Sequence, residues 1–89
     1  MSIFEIAKAT VSVRQAAECY GLKLSRNNMV YCLFHNDRHP SLKLNEDYFF
    51  CFSCGAKGDV IDFVARLFDL SSYEAAQKLV TDFGLDPKP

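Results

Sequence analysis

Four side chains in this 89-residue chain have the types and the spacing to do chemistry together: Cys32, His35, Cys51 and Cys54. They stand as C-x2-H, then residues 36–50, then C-x2-C. A two-residue gap lets a tight turn aim both of its ligands at one point, and two such pairs supply the four donors of a tetrahedral zinc site. The fifteen-residue spacer is long enough for a strand, a turn and a returning strand, which would carry the second pair back beside the first. Four protein ligands leave no coordination position for water, so the predicted site is structural and not catalytic. One zinc ion is therefore the expected cofactor.

Other uses of these residues explain fewer of them. A disulfide needs an oxidising compartment, and the start Met1-Ser-Ile-Phe-Glu lacks the basic residues and apolar run of a secretion signal. A thioredoxin-like C-x-x-C sits between a strand and a helix. Here Cys51-Phe-Ser-Cys54 ends an aromatic stretch and runs into Gly55-Ala-Lys-Gly58. A zinc nucleobase deaminase requires H-x-E and P-C-x-x-C; this chain has Asp37 and Phe50 at those places, and Cys32 would be left over. Cys19 stands outside the four, beside Ala16, Ala17 and Tyr20, and is expected to be a small buried hydrophobe.

The elements that must position the ligands follow from local patterns. Residues 3–9 read as a short amphipathic helix. Ser12-Val-Arg-Gln15 has capping-box form and opens a second helix, running to about Tyr20 and closed by Gly21. Leu22–Ser25 and Met29–Phe34 alternate as two strands of a first hairpin turned by Asn27-Asn28. Ser41–Leu44 and Tyr48–Phe52 form a second, turned by Asn45-Glu-Asp47. Past Gly58 the period changes from two to 3.6: Asp59 caps a helix carrying Val60, Ile61, Val64, Leu67 and Phe68, and Ser71-Ser-Tyr-Glu74 caps a last one ending at Gly84. The predicted fold is a small α+β zinc ribbon: antiparallel hairpins around one structural zinc, flanked by helices at both ends. It forms one domain over 1–89, with a helical segment 1–21, a ribbon 22–57 and C-terminal helices 58–84.

A core this small is marginal alone, and a metal is one of the usual remedies. Three thiolate ligands fit a reducing cytoplasm, and no apolar run reaches the eighteen residues of a membrane span. The net charge of −1 is unevenly distributed. Residues 23–57 carry five bases against three acids, and 58–89 carry three against six. The mildly basic half is the one that bears the ligands.

The run from Tyr31 to Phe63 resembles the Cys-His-Cys-Cys zinc-binding domain of bacterial DNA primases. The segments that carry the resemblance are Cys32-Leu-Phe-His35, Pro40-Ser41, Tyr48-Phe-Phe-Cys51-Phe-Ser-Cys54-Gly55, Gly58-Asp59-Val60 and Asp62-Phe63. The chain departs from the family pattern at Leu33, where proline is usual, at His39, where a small hydroxyl residue often stands, and at Ser53, where glycine is common. In such primases a polymerising domain with acidic metal-binding motifs follows, and no such motif occurs within these 89 residues. The resemblance implies a DNA-binding module of primer initiation and replication, not itself an enzyme, that contacts single-stranded template. It would work with a primase catalytic subunit or a helicase, and without a membrane or a small-molecule substrate. Arg38 beside the first ligand pair, Lys43 on a short strand and Lys57 in the glycine turn after the last cysteine are the expected phosphate contacts, and Tyr48 is the ring expected to face water and stack on a base. The acidic C-terminal half suggests a different class of function, a zinc-stabilised adaptor for replication proteins.

Overall fold

The computed structural model describes residues 2–22, 24, 29–31, 40–52 and 54–85. Four helices and a four-stranded antiparallel sheet occur among them. The helices are α1 (Ile3–Thr10), α2 (Val13–Cys19), α3 (Val60–Phe68) and α4 (Ser72–Asp82); the strands are β1 (Met29–Tyr31), β2 (Pro40–Leu44), β3 (Phe49–Cys51) and β4 (Lys57–Gly58). The sheet order is β1-β2-β3-β4.

Each helix starts where its sequence supplies a side chain for the orphan N–H groups of the first turn. The Ser2 hydroxyl accepts from the Glu5 N–H at the start of α1. Ser12 and Gln15 form a reciprocal box at α2, as do Ser71 and Glu74 at α4. Asp59 and Asp62 do the same at α3. At α4 the Ser71 N–H donates to the Glu74 carboxylate, and this bond, with the Ser71 hydroxyl beside it, holds that carboxyl below the ordinary glutamate range.

Period-two alternation divides the sheet into two faces. Leu42, Leu44, Phe49 and Cys51 are fully buried, and the helices cover them. The Phe49 ring lies 5.7 Å from that of Phe63 on α3. Ala7, Val13, Ala16, Ala17, Val64, Ala75, Ala76 and Leu79 bring all four helices into the same cluster. Two polar links complete the frame. The Val13 N–H donates to the Glu46 carbonyl at 3.0 Å, fastening α2 to the β2–β3 turn. The Tyr20 hydroxyl donates to Asp82 Oδ2 at 2.7 Å, tying the end of α2 to the end of α4. The Tyr20 ring meets Phe68 edge-on at 4.9 Å, and Lys78 lies over Phe68 while pairing with Asp82 at 3.1 Å. Lys8 and Asp59 approach to 3.6 Å, but an exposed pair of this kind contributes little.

The sequence-based expectations need correction in three places. Leu22 and Leu24 belong to no strand; they pack against the core, and β1 pairs with β2 instead. Burial of two leucines can come from docking a loop as well as from a ladder, and alternation over four residues does not distinguish the two. Lys57 lies in β4, paired with Phe50, and not in a glycine turn. Cys19 is exposed: the buried face of α2 is Val13, Ala16 and Ala17, and Cys19 falls off that face. The Asn27-Asn28 turn, residues 32–34 of the expected strand and the tail 86–89 lie outside the described residues. No helix among the described residues is long and apolar enough to cross a membrane.

Gly58 joins β4 to the cap of α3, and a Cβ there would sit 2.5 Å from Asp62 Cβ and 2.6 Å from Asp62 Oδ2. Gly58→Ala should therefore displace the Asp62 half of the capping box and destabilise the fold by about 1–3 kcal/mol, read as a lower thermal midpoint. Tyr20→Phe should cost about 1 kcal/mol through loss of the Asp82 bond. Burial and then the Asp82 carboxylate raise the Tyr20 phenol above its ordinary value. The neutral phenol is thus the form that favours folding, so this contribution is whole below about pH 10 and declines as pH rises through the folded-state pKa. Thermal melts of both proteins across the alkaline range should show the gap closing. A spectrophotometric titration should show a late-ionising phenol that the variant lacks.

Candidate functional site

The C-x2-C pair forms a knuckle at the end of β3. The Cys51 N–H donates to the Ala56 carbonyl at 2.8 Å, and its carbonyl accepts from the Gly55 N–H at 2.9 Å. The chain thus turns back on itself within five residues. Gly55 takes φ = +80°, the left-handed region where a side chain is strained. Cys51 is buried on the core face and Cys54 is exposed, so the turn holds one sulfur inside the fold and one at its surface. The Ser41 hydroxyl lies 3.5 Å from Cys51 Sγ.

Register shows where the other pair enters. Tyr31 pairs with Pro40 and Leu42 pairs with Cys51. The chain therefore leaves β1 and re-enters β2 at the same end of the sheet at which β3 passes into the C-x2-C turn. Cys32 follows Tyr31 directly in sequence, and His35 belongs to the same connection. Cys32, His35, Arg38 and His39 lie outside the described residues, and among the described residues no group of three or more His, Cys, Asp or Glu gathers as a metal site. The donor chemistry suits zinc: thiolates and imidazole are its preferred ligands, and a two-residue knuckle closed by backbone bonds is a rigid half-site.

The opposite face of the sheet carries three of the four residues expected to meet DNA, Lys43, Tyr48 and Lys57. Lys43 pairs with Phe50, and Phe50 with Lys57, so the three stand in a row across β2, β3 and β4. Residues paired across an antiparallel ladder share a face. Tyr48 and Phe52 flank Phe50 at the alternate positions, 53% and 66% exposed. The Phe50 and Phe52 rings meet edge-on at 5.1 Å. Lys43, Asn45, Tyr48, Phe50 and Phe52 line an open groove of ≈ 340 Å³. The exposure expected for Tyr48 is present, and Lys43 and Lys57 stand at the outer-face positions on either side of Phe50. Phe50 and Phe52 were not singled out from sequence. Their signal was the run Tyr48-Phe-Phe-Cys-Phe52, but aromatic residues of both parities left its orientation open until the burial of Phe49 and Cys51 fixed it.

Comparison with known proteins agrees with the resemblance. The family model described as the CHC2 zinc finger matches residues 2–88. A DNA primase of Rickettsia felis is 41% identical over 64 residues, covering 70% of this chain and 11% of that protein. A DNA primase of Helicobacter pylori is 33% identical over 87 residues, covering 96% of this chain and 14% of its own length. The chain thus spans a small part of the curated relatives it matches. Among solved structures, the Aquifex aeolicus primase, comprising zinc-binding and RNA polymerase domains, superposes with a TM-score of 0.84 at 28% identity. That match covers 99% of this chain and 23% of the other.

Proposed function

The chain belongs to the CHC2 zinc-finger family, and from that premise we propose that it is a zinc-dependent, single-stranded-DNA-binding module of primer initiation. Cys32, His35, Cys51 and Cys54 hold one zinc ion that clips the β1–β2 connection to the end of β3. The ion's chemistry is structural: it replaces the apolar surface that a chain this short lacks. Polymerisation belongs to a separate domain or polypeptide of the primase type, and this module presents template to it.

The observation that carries the reading is the row Lys43–Phe50–Lys57 on the open face of the sheet, bordered by Tyr48 and Phe52. Single-strand binding needs cations that track phosphates and rings on which unpaired bases stack. Here two lysines bracket the Phe50 ring on β3, and the rings of Tyr48 and Phe52 stand at either end of that strand. The stacking is sequence-tolerant, which suits a module that must accept many templates. Arg38, which falls in sequence between β1 and β2, is a further candidate phosphate contact. Among the described residues the helices bury only the other face, which leaves the rings of Tyr48 and Phe52 available for stacking.

A second reading is a protein adaptor, and the helical side favours it at one point. Tyr73 and Phe68 remain 55% and 40% exposed on the acidic half of the chain. The two readings use opposite sides of the molecule, so variants separate them: DNA affinity should ignore Tyr73→Ala and respond to the sheet face.

Two outcomes are expected. With zinc loaded, single-stranded DNA should bind at low salt. Lys43→Ala and Lys57→Ala should each reduce the slope of log affinity against log salt by about 0.7. Phe52→Ala should cost about 1–3 kcal/mol at fixed salt. Absence of binding at low salt would refute the DNA reading. Separately, Cys54→Ser should lose zinc and with it the native circular-dichroism spectrum, because structural zinc supplies on the order of 10 kcal/mol to folding in small domains. Retention of spectrum and thermal midpoint in that variant would show that the metal does not hold the fold.

A further inference from the structure

Ser41 is the one buried polar side chain among the described residues, 7% exposed on β2. Its carbonyl and its hydroxyl both face the knuckle. Its carbonyl accepts from the Phe52 N–H at 2.9 Å, and its hydroxyl stands 3.5 Å from Cys51 Sγ, within reach of a hydrogen bond to sulfur. Between a hydroxyl and a thiol either group could donate. Between a hydroxyl and a thiolate only the hydroxyl can, because a metal-binding cysteine has given up its proton. Cys51 is also fully buried, so water does not solvate its sulfur, and a charge placed there requires a protein donor. Cys54, at the exposed end of the same turn, has water available.

We propose that Ser41 is a positioning residue for the metal ligand Cys51: its hydroxyl donates to the buried thiolate, fixes the direction of the sulfur and draws charge from it. This rests on the reading of Cys51 as a ligand. It adds a role for a β2 side chain that belongs to neither C-x2 pair. The bond also couples the two halves of the fold. The sheet face depends on the pairing of β2 with β3, and the hydroxyl ties that pairing to the metal. Outer-shell donors of this kind are worth about 10–100-fold in metal affinity.

The experiment uses the whole chain as Ser41→Ala, Ser41→Thr and Cys51→Ser. Zinc affinity is measured by competition with a chromophoric chelator, and the thiolate-to-metal charge-transfer band is recorded after cobalt substitution. Ser41→Ala should bind zinc about 10–100-fold more weakly. Its cobalt band should move to lower energy, because a sulfur without its donor releases charge more readily. Ser41→Thr should restore both affinity and band position, and Cys51→Ser should lose zinc, as should Cys54→Ser. Unchanged affinity and band in Ser41→Ala, beside a crippled Cys51→Ser, would overturn the role of Ser41 alone. Equal weakening in Ser41→Ala and Ser41→Thr with an unmoved band would also overturn it, as that is the mark of disturbed packing. Wild-type affinity in Cys51→Ser would remove the ligand reading itself.

Discussion

Strand β3 is three residues long, and its antiparallel register is the constraint on which the rest of the molecule depends. Phe49 and Cys51 point into the core and Phe50 points out. A one-residue slip would exchange these faces. The Phe49 ring would leave Phe63, the sulfur of Cys51 would leave Ser41, and Phe50 would leave the row between Lys43 and Lys57. The core, the knuckle and the open face are thus three consequences of one pairing. Ladder bonds over so few residues are weak in isolation. The register must be held from outside, by helices packed on one face and by cross-linking at the strand's end.

The helices supply the first restraint through local rules. All four N-termini are capped by a side chain from the residue before the helix, and three of these caps are reciprocal. The Asp59–Asp62 box matters most for the ribbon, since it begins one residue after β4 ends. The close approach of Gly58 to Asp62 makes strand end and helix start a single rigid joint. At the far side, the Tyr20–Asp82 bond closes the helical layer around Phe68. The second restraint is the zinc that membership of a zinc-finger family implies; at the proposed site it would act at the sheet end where β1 leaves, β2 enters and β3 passes into the C-x2-C turn.

What could be read in the sequence follows the range of the interaction. Ser12-Val-Arg-Gln15 and Ser71-Ser-Tyr-Glu74 act over three residues, and both were legible with their helices. The two proposed ligand pairs stand out in the sequence because a metal imposes spacing on it directly. Strand β4 was not, since two residues carry no period, and Lys57 joins the sheet only because β3 offers it a partner. Leu22 and Leu24 showed alternation without a ladder; their apolar character served docking against the core. Cys19 sat in a helix too short for its face to be phased from pattern alone, and it proved exposed. The aromatic run 48–52 showed that one parity must face out. Which one depended on helices that contact it from distant parts of the chain.

The most direct test of the account is zinc-edge X-ray absorption on the purified chain, with metal content measured on the same sample. One zinc per chain, coordinated by three sulfurs and one nitrogen, is the expected result. A chain folded without zinc, or a metal shell with fewer than three sulfurs, would contradict it and leave the sheet end without its clip.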